Sequence, residues 1–246
     1  MADKHFWNIR ARNYDKLYWT KDAGYIDKII DVAKFTRNDL VLDIGTGTGA
    51  MARSIHPHVR HVVGLDFSDS MLKRGKWDGI SMVKWDITDS LFHNRLFDKI
   101  VGRMVFHHIL DNLDRAFLRC YDLLKSRGKL IIAEGVPPGE DEDIVDWYTE
   151  MFKHKEARRT FTKSLLVHYF VKNGFKDVRA YRYKMRRFNI NNWLVNSGLH
   201  KAKQTRILNM HRRAPDKVKA AYNMTFEDGT CFVDTDNLII VGQKEE

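Results

Sequence analysis

The sequence predicts an α/β fold in which a doubly wound, mostly parallel sheet carries helices on both faces, with a helical segment inserted before the last strand. Two observations predict it. Short apolar runs at 40–44, 61–65, 80–85, 97–105 and 129–133 alternate with stretches of helical period, the pattern of strands joined by right-handed crossovers. A last apolar run at 237–241 follows only after a helical, basic stretch over 189–222, an insertion of about 45 residues.

A polar and aromatic start leads to a helix over 23–35, where Ile26, Ile29, Ile30 and Ala33 recur at helical spacing before the break at Thr36 to Asp39. The strand 40–44 runs at once into Gly45, Gly47 and Gly49, and a helix over 50–55 precedes Pro57. Strand 61–65 ends in Asp66, and Ser68 caps a helix over 68–74. Strand 80–85 ends at Asp86. After strand 97–105, a helix over 113–124 is stopped by Ser126, Arg127 and Gly128, and strand 129–133 follows. Pro137, Pro138 and Gly139 open a loop to a helix over 144–155. A helix over 161–172 closes at Asn173 and Gly174, and 175–187 is extended.

With 246 residues and 43% apolar side chains, there is material for one domain over 1–246 with one substantial core. Within it, 1–35 reads as lid helices, 140–172 as a helical elaboration and 188–224 as an inserted basic cap. No apolar run is long enough to span a bilayer, and no signal peptide is legible, so a cytoplasmic location is expected. Cys120 and Cys231 make no C-x-x-C pair, which excludes a disulfide framework and a cysteine-based zinc site. The net charge of +10 is concentrated: 150–224 holds 19 Lys and Arg against 4 Asp and Glu, leaving the remainder net acidic. That asymmetry points to an anionic partner.

Three glycines at a strand-to-helix turn let the backbone turn sharply and let a ligand approach main-chain N–H groups. The third comes two residues after the second, unlike the dinucleotide fingerprint G-x-G-x-x-G, which argues against a nicotinamide oxidoreductase. Asp43 precedes the loop, Asp66 stands where a carboxylate accepts from both ribose hydroxyls, and Asp86 stands where one accepts from an adenine amino group, with Ile87 beside the ring. Strand-end aspartates also cap helices, so the register of three with a glycine loop is what carries the nucleotide reading.

On 41–49, Asp66, the Trp85-Asp86-Ile87 step, Phe106-His107-His108-Ile109 and Gly128-Lys129-Leu130, the chain resembles the class I S-adenosylmethionine-dependent methyltransferases. The likeness is strongest to the small-molecule group of ubiquinone and menaquinone biosynthesis, and covers roughly 6–183 and the last strand. It implies a Rossmann-like seven-stranded sheet with one antiparallel strand, S-adenosylmethionine as cofactor and S-adenosylhomocysteine as product. It further implies that Gly45, Thr46, Gly47 and Gly49 lie near the methionine part, Asp66 at the ribose with Phe67 and Met71 nearby, Asp86 and Ile87 at the adenine, and Arg103 near the sulfonium. The segment 7–15 is similar to one that folds over the cofactor, with Tyr14 in the lid.

Methyl transfer needs alignment, exclusion of water and, for a protonated nucleophile, a base. His107 and His108, at the sheet edge, are the candidates, against the alternative that both only pack. Glu134 is placed to bind substrate or to pair structurally. Lys155 and Arg159 share a helical face at i, i+4 beside Glu156 and Arg158, as a substrate contact or a solvated surface. In the insert, Trp193 and Asn196, then His211 and Arg212, with Tyr222 shortly after, read as a lid over an anionic acceptor or as plain cover. His56, His58 and His61 have no metal-site spacing, and no metal is expected. The reading is a methyltransferase acting on a small anionic metabolite. An RNA methyltransferase is the alternative, disfavoured because no Pro-Pro-Tyr follows the fourth strand, and a non-catalytic cofactor-binding protein is another. Nothing separates monomer from homodimer.

Overall fold

The computed structural model describes residues 10–11, 13–89 and 92–245; of the expected lid segment, 7–9 and Arg12 lie outside them. The strands are β1 (Leu40–Ile44), β2 (His61–Asp66), β3 (Ser81–Lys84), β4 (Phe97–Arg103), β5 (Leu124–Val136), β6 (Lys176–Asn189), β7 (Thr225–Glu227) and β8 (Thr230–Gln243). They form one sheet in the order β3-β2-β1-β4-β5-β8-β6, with β7 paired to β8. Strands β1 to β5 pair in parallel, and β8 runs antiparallel between β5 and β6. The seven-stranded path with one antiparallel strand is present, and the eighth strand is the short β7.

Alternation along the central strands sends side chains to two cores. Val41, Val62, Val101, Ile131 and Ile239 face one side with Tyr25 and Ile29 of α1 (Ala23–Ala33) and Met51 and Ala52 of α2 (Ala50–Ile55). Leu42, Leu65, Ile100, Ile132 and Ile240 face the other with Phe117 and Cys120 of α4 (Leu113–Leu123) and Leu166 and Phe170 of α6 (Lys163–Lys172). Each fully buried Phe or Leu stabilises the fold by roughly 1.5–3 kcal/mol through apolar burial. Phe117 also packs on Phe106 at 5.3 Å, which ties the turn after β4 to the α4 layer.

Short α3 (Asp69–Leu72) follows β2, with the Ser68 hydroxyl accepting from the Met71 N–H. Helix α5 (Glu142–Lys155) is capped by Asp141, and α6 by Thr162. The insert is three helices, α7 (Ile190–Asn196), α8 (Lys201–Arg212) and α9 (Asp216–Ala221), packed over the end of α5 and the C-terminal strands. Two strand boundaries differ from expectation. Leu124 pairs with Phe97, so β5 starts before Ser126–Gly128 and absorbs those residues in a register shift. Strand β8 begins at Thr230 because Asp228 and Gly229, both at positive φ, turn a hairpin with β7. Helix α5 stops at Lys155, where Glu156 is extended. Among the described residues, no helix is long and apolar enough to cross a membrane.

Candidate active site

The carboxyl ends of β1 to β4 share one sheet edge: Ile44 lies beside Leu65 and Gly102, and Asp66 beside Lys84. A cavity of about 230 Å³ opens there. Gly45 and Gly47 line it at φ +64 and +58, and a Cβ on Gly45 would stand 2.4 Å from Val105 Cγ2, so the loop passes the turn after β4 only as glycine. Asp66, 8% exposed, accepts the Gly47 N–H at Oδ2 (2.9 Å) and the Ser68 N–H at Oδ1 (2.8 Å). Burial pushes its carboxyl up, while those N–H bonds oppose the shift. A carboxylate has about four acceptor sites, so capacity remains toward the cavity. Asp86 accepts the Thr88 N–H and hydroxyl at Oδ1 (2.9 and 2.8 Å), a turn that presents it at the cavity with Ile87, Phe67 and Met71 as apolar wall.

Asp43, Thr46 and Gly49 do not line the cavity. They brace it from behind: Thr46 donates its hydroxyl to Asp43 (2.7 Å), and the Gly49 N–H donates to the Thr46 carbonyl (2.8 Å). Burial lifts the Asp43 carboxyl to about 7. Arg103 is also outside. Its guanidinium turns to the Thr20 carbonyl (3.4 Å) and the Trp19 ring (5.6 Å), joining β4 to the N-terminal segment.

A second cavity, about 110 Å³, adjoins the first. That is several times the ~10–15 Å³ a water needs. Tyr14, Met104 and His108 line both. Met104 sits at φ +55 where β4 ends, its N–H donating to the Ala133 carbonyl (2.8 Å), so a left-handed residue marks the junction. The turn Phe106–His108 follows. Its anchor is Glu134, fully buried on β5, whose Oε1 accepts the N–H groups of Val105 (3.0 Å), Phe106 (2.7 Å) and His107 (3.3 Å). Glu134 Oε2 lies 2.5 Å from His107 Nδ1. Burial raises the Glu134 carboxyl to about 7. Burial, then the Arg158 charge, holds His107 well below its usual range, and burial with His107 does the same to His108. Both shifts favour the neutral imidazole. With Glu134 ionised, the short bond assigns the His107 proton to Nδ1 and leaves Nε2 an acceptor.

Around these histidines lies a charged cluster that the sequence only partly exposed. Glu156 Oε2 meets Arg10 Nη1 at 2.7 Å and Lys155 Nζ at 2.5 Å, and Oε1 is 3.8 Å from Arg158 Nη1. Burial raises the Glu156 carboxyl, but Lys155 and Arg10 outweigh it and hold it well below the ordinary range. Burial, then the Arg10 charge, brings Lys155 down to about 7. Lys155 lies over Trp193 (5.1 Å), and Arg158 over Phe152 (4.1 Å). The shared face expected for Lys155 and Arg159 does not form, because α5 has ended: Arg158 enters the cavity, while Arg159 donates to the Ile109 and Leu110 carbonyls.

Of the residues expected at substrate, Arg158, Trp193 and His211 line this cavity, and Glu134 stands behind it. His211 donates from Nδ1 to the Ile207 carbonyl (2.8 Å), and burial takes its pKa to about 4. Asn196 and Arg212 do not reach it. Asn196 bonds the Asn192 carbonyl one turn back, and Arg212 lies exposed on the outer face of α8 beside Asn209. Tyr222, expected only as part of the lid, and Glu156, expected only as a neighbour on a helical face, line the cavity as well, and Arg10 lines it without having been singled out. Among the described residues, the His, Cys, Asp and Glu ligand atoms that converge are those of His107, His108 and Glu156, within 4.8 Å. Three cations already surround that carboxylate, a field that opposes a metal ion.

A methyltransferase-domain family profile matches residues 18–180. A demethylmenaquinone methyltransferase of Thermotoga maritima is 33% identical over 139 residues, 52% of this chain and 59% of that protein. The chain spans about half to two thirds of the length of most curated relatives it matches. A putative methyltransferase structure from Bacillus halodurans superposes with TM-score 0.78 at 19% identity, covering 90% of this chain and 99% of that one. The phosphoethanolamine N-methyltransferase 2 of Haemonchus contortus, in complex with phosphomonomethylethanolamine and S-adenosylhomocysteine, gives 0.62 at 17%, covering 91% and 53%. Fold, glycine loop and the match over most of the chain agree: the protein belongs to the methyltransferase-domain family.

Proposed function

We propose that the chain is an S-adenosylmethionine-dependent methyltransferase acting on a small anionic metabolite in the cytoplasm. The observation that carries the reading is the meeting of two cavities at Tyr14, Met104 and His108. Two acidic strand ends and a glycine floor in the first suit a ribose diol and an adenine amine: Asp66 and Asp86 retain acceptor capacity, and a Cβ on Gly47 would approach the Tyr14 ring. The cofactor supplies a methyl group on positive sulfur. Every other contribution comes from the chain. Asp66 and Gly47 orient, Ile87 and Met71 pack, and Tyr14 with the Arg10–Glu156 bond closes the N-terminal segment over the junction and excludes water.

In the second cavity, an acceptor hydroxyl or amine loses its proton to His107 Nε2. Glu134 then stabilises the imidazolium that forms, and its three backbone bonds keep the turn in place. His108, with its ring 4.0 Å from that of His107, lies where the two ligands meet. Calorimetry tests the core of the reading: S-adenosylmethionine and S-adenosylhomocysteine bind and NAD does not. Failure of the first two to bind refutes it. Asp66→Ala lowers their affinity by about 1.5–3 kcal/mol, the scale of a lost charged hydrogen-bond pair, and an unchanged affinity removes Asp66 from the ribose.

A further inference from the structure

Tyr222 lines the second cavity at 4% exposure, and among the described residues its hydroxyl has no hydrogen-bond partner. Its ring is fixed edge-on to Trp147 at 5.5 Å, and its carbonyl accepts the Asp234 N–H at 2.7 Å. A buried hydroxyl held in place and left unpaired is costly unless a ligand completes it.

Arg158 is the near cation, close enough for its charge to bear on the Tyr222 phenol. Its side chain is 6% exposed, and its contacts are long: Glu156 at 3.8 Å, the Arg159 carbonyl at 3.4 Å and the Gly135 carbonyl at 3.5 Å. A guanidinium with five donors is under-satisfied by such partners. Lys155 commits one of its three donors to Glu156. Two neighbouring carboxylates are engaged: Glu134 holds His107 and three N–H groups, and Glu156 holds Arg10 and Lys155. The charge of Asp236 is offset by Arg182 (3.4 Å) and Lys184 (3.2 Å), although its buried Oδ1 accepts no hydrogen bond among the described residues. Met151, Met185, Phe188 and Ile190 give the same cavity an apolar wall.

We propose that Arg158, Tyr222 and Lys155 form an oxyanion subsite, selecting acceptors that carry a carboxylate or phosphate on an apolar body. The inference rests on reading this cavity as the acceptor site. It is tested by titrating phenyl phosphate, benzoate, benzyl alcohol and phenyltrimethylammonium into the full chain, with and without saturating S-adenosylhomocysteine. The two anions bind at least about tenfold more tightly than the alcohol, and Tyr222→Phe and Arg158→Gln each remove about tenfold of anion affinity while leaving the alcohol unchanged. Phenyl phosphate against benzoate tells which oxyanion the subsite prefers. Equal binding of anion and alcohol, or a preference for the ammonium, overturns the subsite. Tyr222→Phe keeps the ring and loses no bond while removing an unpaired buried hydroxyl, so it folds with a melting temperature no lower than the parent's and remains a usable variant if Arg158→Gln does not. If S-adenosylhomocysteine fails to bind, the cofactor reading falls separately, and the anion preference is still read in the titrations without it.

Discussion

The two cavities share three residues and are built in opposite ways. The one at the glycine loop is made of turns that follow successive parallel strands, and its acidic groups are held by the backbone of those turns: Asp66 by Ser68 and by Gly47 of the neighbouring turn, Asp86 by Thr88. The other is assembled from the N-terminal segment, the turn after β4, the end of α5, the insert and β8, and it is rich in cations. The difference teaches how charge is sorted. On the proposed reading, an acidic pocket suits a sulfonium cofactor and a basic one an anionic acceptor, with His108, Met104 and Tyr14 between them, so each ligand would find its complementary field without crossing the other.

Breaking only the acceptor half gives the largest effect. In Glu134→Gln, Oε1 still accepts the three N–H groups, but the amide nitrogen now faces His107 Nδ1 and donates to it, which forces the proton onto Nε2 and removes the base. Methyl transfer to an acceptor found by screening falls by about 10²–10⁴ in single turnover. S-adenosylhomocysteine affinity stays within about twofold, a change too small for a lost hydrogen bond. Equal loss of both would mean that Glu134 only supports the fold. Breaking the cofactor half is next. Gly45→Ala places a Cβ against Val105 at positive φ, a cost of about 2–4 kcal/mol from overpacking and left-handed strain. Calorimetry should show that cost in S-adenosylhomocysteine affinity, and Val105→Ala in the same chain restores the steric part; no rescue would assign the whole effect to the backbone.

The same difference decides what was legible in the sequence. Strand, glycine loop and terminal aspartate are contiguous, so the alternation of apolar runs together with the family resemblance pointed to the glycine-loop pocket and six of its wall residues beyond the loop: Tyr14, Asp66, Phe67, Met71, Asp86 and Ile87. Which loop residues line the pocket was not legible. Asp43 and Thr46 turn behind it to bond each other, a matter of side-chain direction rather than spacing. Glu134 stood out by its strand-end position, but its grip on the turn after β4 needs the β4–β5 register. The acceptor side depended on where α5 ends. Continuing the helix to Arg159 paired Lys155 with Arg159 on a face that does not exist, and hid that Glu156 turns into the cavity to meet Arg10 from far up the chain. The absence of apolar residues at helical spacing between Phe152 and Phe161 was the available sign of that end.

A smaller effect separates the halves by pH. His211, on the acceptor side, is held neutral in the fold with a pKa near 4, while in the unfolded chain it titrates near 6.5. A depressed folded value gives stability that is complete above 6.5 and is lost as pH falls toward 4. Its protonation in the unfolded state alone therefore costs about 2 kcal/mol by pH 5. His211→Phe removes that component: its melting temperature falls less between pH 7 and 5 than that of the parent. Parallel curves for the two proteins would show that His211 is not the buried neutral group described.

The smallest expected effect tests the outer face of the insert. Arg212 is exposed on α8 with a long contact to Asn209 (3.4 Å), and Asn196 spends its amide on the Asn192 carbonyl of its own helix. Both stand on the element that contributes Trp193 and His211 to the cavity, yet neither lines it. If the acceptor field comes from the buried cations alone, Arg212→Gln changes stability by less than about 0.5 kcal/mol and leaves benzoate affinity within experimental scatter, and Asn196→Ala behaves alike. Screening by water and salt makes an exposed charge a poor substitute for a buried one. A several-fold loss of benzoate affinity in Arg212→Gln, abolished at high salt, would instead mean that the basic outer face steers the acceptor inward, and the division between a charged interior and an inert cover would have to be redrawn.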